Sequence, residues 1–163
     1  GQEDFAQRAH FTRVGQVLDW DWDLLLKRYN LEHKVVSIDY LPHRESLKYL
    51  LTARVLLLTT GGKQSSPFIT TGKIYEYLAA RKPILAIVPE KGAAADLLRE
   101  NKIGIMVNPL DKNEIKCALL SLFDQYRTGT LESGLPTPDL KRYERKYLTQ
   151  RLADFFNRCL DER

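Results

Sequence analysis

Thr70-Thr71-Gly72-Lys73, followed by Glu76, is the stretch of this sequence best equipped for chemistry. Two threonines ahead of a helical pattern can cap it. The helix start then offers free backbone N–H groups and a positive dipole end. The glycine permits close approach and the lysine adds charge, so the segment suits a diphosphate. Glu76 falls one turn into the same helix, where its carboxylate can accept two hydrogen bonds from the vicinal hydroxyls of a ribose. The plainer alternative is a capped helix with a solvated lysine and a surface glutamate, and spacing alone leaves both readings open. No side chain is singled out as catalytic.

The elements that position this segment alternate between short β-branched runs and amphipathic stretches. Residues 11–17, 34–39, 54–60, 83–88 and 103–107 read as strands. Residues 20–29, 43–52, 72–81, 93–101 and 111–126 read as helices, with Asp111 placed as a cap. The run Arg54 to Thr60 is the most apolar in the chain, unbroken from Val55 to Leu58, as a parallel strand buried on both faces requires. It leads into an irregular loop, 61–71, that ends at the threonine pair. Strands alternating with helices of this length predict an α/β fold, a Rossmann-like doubly wound parallel sheet with helices on both faces. Ligands of such sheets sit at the carboxyl ends of the strands, where this loop lies. A Gly/Pro/Thr-rich linker, 128–139, separates the body (1–127) from a last helical stretch. That stretch, 140–160 within the C-terminal segment 140–163, carries Tyr143, Tyr147, Leu148, Leu152, Phe155 and Cys159 on one stripe that must pack on something.

Composition narrows the function classes. The 163 residues suit one domain, and the formal net charge of +4 suits an anionic small molecule but is too weak to argue for nucleic acid. No run approaches the ~20 apolar residues of a membrane span. The acidic, polar start is not a signal peptide, and Gly1 stands without a methionine before it, so an earlier native start is expected. Cys117 and Cys159 read as reduced, partly buried thiols of a cytoplasmic protein. A dinucleotide oxidoreductase would need a Gly-x-Gly-x-x-Gly turn, which does not occur here. A receiver-type module would need acidic strand ends, and Asp39, Thr59-Thr60 and Pro89 do not form that cluster.

The stretch TTGKIYEYLAARKPILAIVPEKGAAADLLRENKIGIMVNPLDKNEI is similar to the donor-binding region of retaining, group 1 glycosyltransferases with the two-Rossmann B-type fold. In that family a K-x-x-E-Y-x-A-x-x-K/R-P-I-L-A segment precedes a glycine-containing turn, a helix and G-x-x-V-x-P. DYLPHRESLKYLLTARVLLLTT resembles the family segment upstream of it, and FTRVGQV resembles a strand-glycine segment. The resemblance implies that the chain is the C-terminal, nucleotide-sugar-binding half of such an enzyme. It lacks the first strand-helix unit and the N-terminal acceptor domain, toward which the last helix crosses. It places Glu76 on the ribose, the backbone of Thr70, Thr71, Gly72, Lys73 and Ile74 on the diphosphate and sugar, and Leu41, Pro42 and His43 beside the base. Gly15 falls at the edge of the donor cleft. The family's second glutamate, eight positions earlier, is Phe68 here.

The implied activity is hexosyl transfer from a UDP- or GDP-type donor to a glycan or lipid-linked acceptor, at the cytoplasmic side and in peripheral contact with a membrane. No cofactor and no metal are expected, because a helix dipole and basic side chains can stabilise the leaving diphosphate. The fragment alone is expected to be inactive. A nucleotide-sugar epimerase of the same fold and a non-catalytic phosphate-binding module are the alternatives.

Overall fold

The structure, a computed structural model, describes residues 2–16, 21–60 and 72–161. A helix α1 (Gln2–Arg8), not anticipated from the sequence, precedes strand β1 (Phe11–Val14). There follow α2 (Trp22–Arg28), β2 (Val35–Ile38), α3 (His43–Thr52), β3 (Leu56–Thr59), α4 (Lys73–Ala80), β4 (Ile84–Ile87), α5 (Ala93–Asn101), β5 (Ile105–Val107) and α6 (Lys112–Arg127). Asp111 caps α6 as expected, its carboxylate accepting from Asn113 N and Glu114 N. The expected strands and helices are all present, with the strands trimmed at their ends.

Every strand pair is parallel, but the pairing forms two sheets instead of the single one expected: β1-β2 and β3-β4-β5. Among the described residues no strand bridges β1 and β3. The larger sheet has helices on both faces. On one, Leu56, Leu58, Ile84, Ala86 and Val88 meet Ile74 and Leu78 of α4 and Ala94, Ala95 and Leu98 of α5. On the other, Leu85 and Val107 meet Ala118 and Leu122 of α6. That division is the period-2 alternation of a strand read out in three dimensions. Helix α1 lies on α6, where the Phe5 ring packs edge-on against Phe123 at 5.5 Å and Asp4 pairs with Arg127 at 3.8 Å.

Two close turns set the strand spacing. Arg81 and Lys102 end α4 and α5 in the left-handed region. Gly104 then enters β5 at φ +86°, with a Cβ there falling 3.3 Å from Ile84, so only glycine serves.

The single last helix expected over 140–160 is two pieces. A 3₁₀ turn spans Leu140–Tyr143, Glu144 is extended, and α7 runs Arg145–Asp161. The turn docks on α5: Asn101, itself buried, donates to Leu97 O and Tyr143 Oη, while Arg142 donates to Asn101 Oδ1. The stripe that had to pack therefore does so only at Tyr143. Tyr147, Leu148, Leu152 and Phe155 are about half exposed. Cys117 and Cys159 are exposed, not partly buried, because both face away from the two cores. No helix among the described residues is long and apolar enough to cross a membrane.

Candidate functional site

The carboxyl ends of β1, β2 and β3 and the start of α4 carry the residues singled out from the sequence. Gly15 follows β1 directly at φ +116°, its N–H bonded to Ile38 O on β2. Nothing lies within 4 Å of where its Cβ would be, so the backbone conformation, not crowding, calls for glycine. Leu41 is half-buried in the turn after β2, and Pro42 stands at the N-cap of α3. His43 opens that helix.

Helix α4 brings Glu76 to the same place. His43 Nδ1 lies 3.8 Å from Glu76 Oε1, with the Glu76 side chain 38% exposed and His43 69% exposed. An ion pair so exposed stabilises little. Its interest is geometric, since two positions expected to hold the base and the ribose meet across the α3–α4 contact. Gly72 stands at the N-cap of α4 with no side-chain cap hydrogen bond among the described residues, and the N–H groups of a helix start are the kind of groups that receive an anion. Lys73 is exposed beside them. Ile74 is fully buried in the core, so only its backbone can serve a ligand. Thr70, Thr71 and Phe68 lie outside the described residues.

Two features of the site were not legible beforehand. Thr60, at the carboxyl end of β3, is 7% exposed, and its hydroxyl has no hydrogen-bond partner among the described residues. A buried hydroxyl without any partner costs about 1–3 kcal/mol, so buried hydroxyls are as a rule hydrogen-bonded. The signal in the sequence is a polar residue closing the most apolar run. Tyr77, next to Glu76, turns inward and donates its hydroxyl to Leu57 O at 3.2 Å. Burial, and then the neighbouring Glu76 charge, push its phenol above the usual range. Tyr75 faces the opposite way, against the ring of Tyr143 at 5.2 Å.

Chemically, the Glu76 carboxylate can accept hydrogen bonds from hydroxyl groups, and a helix start can receive an anion. Metal ligation has less to work with: no group of three or more His, Cys, Asp or Glu side chains converges among the described residues. Alternating aspartates do occur in the run Asp19-Trp20-Asp21-Trp22-Asp23. Within it Asp21 accepts from Leu24 N as the cap of α2, and Asp19 lies outside the described residues.

No protein-family model matches the chain, and no curated protein matches it. Among solved structures it resembles the Anabaena protein Alr3699/HepE, determined in complex with UDP, with a TM-score of 0.70 over 95% of this chain. Identity is 16%, and the match spans 43% of the HepE chain. The likeness establishes the fold, a Rossmann-like α/β domain with a C-terminal helix.

Proposed function

We propose that this chain is the donor-binding half of a glycosyltransferase that moves a sugar from a nucleoside diphosphate to a hydroxyl of a glycan or lipid-linked acceptor. The observation that carries the reading is the meeting of Glu76 with His43 near the start of α4. The fold shared with a UDP-bound protein supports it. Glu76 would grip the ribose, the Gly72–Ile74 backbone and Lys73 the diphosphate, and Leu41 to His43 would flank the base. Charge developing on the leaving diphosphate would meet aligned N–H groups that need no reorganisation, and no metal is required for that. The acceptor and the remaining groups would come from the part of the enzyme opposite this domain, so residues 1–163 alone bind donor weakly and turn nothing over.

An NMR titration of the ¹⁵N-labelled chain with UDP, GDP, ADP and their sugars tests this. One diphosphate should shift the amides of Gly15, His43 and Gly72 through Glu76 in a saturable way. Glu76→Ala should weaken that binding about 10-fold or more, as loss of hydrogen bonds to a charged acceptor does. Unmoved amides with every nucleotide, or equal affinity in Glu76→Ala, would sink the assignment.

A further inference from the structure

Gly15 is the residue of the candidate site with the most freedom to lose, a glycine at φ +116° with open space around it. Yet both of its peptide groups are tied down. Its N–H, in the peptide shared with Val14, donates to Ile38 O on β2 at 2.9 Å. Its C=O, in the peptide shared with Gln16, accepts from Arg13 Nη1. Peptide groups are planar, so fixing the one on each side of the Cα leaves neither soft dihedral of Gly15 free to turn.

Strand geometry brings Arg13 there, because residues two apart point to the same face. Ser37 is the register partner of Arg13 across the β1-β2 ladder. An arginine side chain carries about 2 kcal/mol of rotamer entropy, so it does not stay on one carbonyl unaided. Here its guanidinium carbon lies 5.7 Å from the centre of the Trp22 ring, within cation–π range. Trp22 is held in turn, its indole N–H donating to Ser37 Oγ at 3.1 Å. A line of contacts therefore runs from Ser37 through Trp22 and Arg13 to the Gly15 carbonyl. Arg99 offers a contrast. It too donates to the carbonyl of a turn, that of Glu90 after β4, but it is exposed and pairs with Asp96 at 3.2 Å. Arg13 is half-buried, and its Nε–H is buried without a partner among the described residues. Placing a guanidinium there is unfavourable by itself, and what it secures is the conformation of one glycine.

The consequence falls on the next amide. The described peptides are all trans, and a trans peptide points its N–H opposite to its C=O. With the Gly15 carbonyl turned to Arg13, the Gln16 N–H is turned away from it. We propose that Arg13 is a positioning residue, which presets the Gly15–Gln16 peptide so that the Gln16 N–H meets the diphosphate of the donor. This rests on the donor-binding reading above, and it gives Arg13 no contact with the donor itself.

Titration of the ¹⁵N-labelled chain with UDP, GDP and ADP tests it, with wild type compared to Arg13→Met, Arg13→Lys and Trp22→Phe. Methionine keeps the stem without a donor, lysine restores one, and phenylalanine keeps the ring but drops the bond to Ser37. In the wild type the Gln16 amide should shift with the same saturation as His43 and Gly72. Arg13→Met should bind about 10-fold more weakly, as loss of a hydrogen bond to a charged acceptor does. Gln16 should then fall silent while His43 still shifts, a selective loss that general destabilisation would not produce. Arg13→Lys should regain most of the affinity and the Gln16 response. Trp22→Phe should bind about 3-fold more weakly, the effect of one neutral hydrogen bond, and its unchanged affinity would count against the proposal even if Arg13→Met fails to fold. Equal affinity in Arg13→Met, or a silent Gln16 in a wild type that binds, would overturn the proposal and leave the donor-binding reading standing. A wild type that answers to no nucleotide would overturn both.

Discussion

Strands β4 and β2 occupy equivalent steps of the same strand-helix alternation, yet Ile84, Leu85 and Ala86 of β4 are at most 1% exposed while Val36 of β2 is 51% exposed. The difference is one of cover. Parallel strands persist where helices close both faces, and β4 has α4 and α5 on one side and α6 on the other. In the half of the chain that forms β1 and β2, Leu26 of α2 is the one buried apolar side chain among the described residues, at 8% exposure. Yet the candidate site draws on both halves, Gly15 and His43 from the thin one and Thr60 and Glu76 from the thick one. Stability and the candidate site are thus divided differently across this domain.

The largest expected effect breaks the comparison at its stable end. Leu78 is 0% exposed and lies in the core that α4 makes with the sheet. Leu78→Ala should lower unfolding stability by about 2–5 kcal/mol, the lost transfer energy plus the cavity left behind. Val36→Ala should change it by less than about 0.5 kcal/mol, as surface truncations do. Chemical denaturation of both variants checks this; similar losses would mean that the two sheets share one core after all.

What was legible in the sequence follows the same division. Residues 83–107 read correctly because burial on both faces writes a continuous apolar signal, and Asp111 because a cap is a local hydrogen-bonding motif. Helix α1 was missed: Gln2–Arg8 is short, and Phe5, half-buried against Phe123, is the one large apolar side chain on it. The break at Glu144 was missed because the periodicity of 140–160 is helical throughout. What interrupts it is tertiary, the hydrogen bonds of Tyr143 and Arg142 to Asn101. The meeting of His43 with Glu76 follows from the motif positions only once α3 and α4 are known to touch. The place of Thr60 at the end of the most apolar run is visible in the sequence, but the burial of its hydroxyl is not, because burial of one polar atom depends on the whole fold.

That tertiary clasp gives the second prediction, since it fastens the C-terminal segment to the thick half of the molecule. Asn101→Leu removes one of the acceptors of Arg142 and the amide donor to the Tyr143 hydroxyl while keeping the bulk. Stability should drop by about 1 kcal/mol or more, the net worth of the half-buried hydrogen bonds removed. Limited proteolysis should then cut faster between residues 128 and 145. An unchanged cleavage rate would mean the 3₁₀ turn is held by Leu140 and Tyr143 packing alone.

The smallest effect sharpens the comparison at the open edge of β3. Tyr77 keeps its proton in the folded chain above the ordinary phenol value of 10.0, burial being the main cause and the Glu76 charge the second. The unfolded chain gives that proton up first, so above about pH 10 the folded state binds more protons and stability falls as pH rises. Below that pH the contribution is fully present. Tyr77→Phe deletes both the hydrogen bond to Leu57 O and this titration. Near pH 8 the variant should be less stable than the wild type by about 0.5–1.5 kcal/mol, the net worth of one such bond. From about pH 10 upward the gap should narrow, because only the wild type loses stability through this phenol. Urea unfolding at both pH values reads the difference directly. A gap that stays constant would show that the hydroxyl meets water in the folded chain, and that the edge of β3 is left open rather than capped by Tyr77.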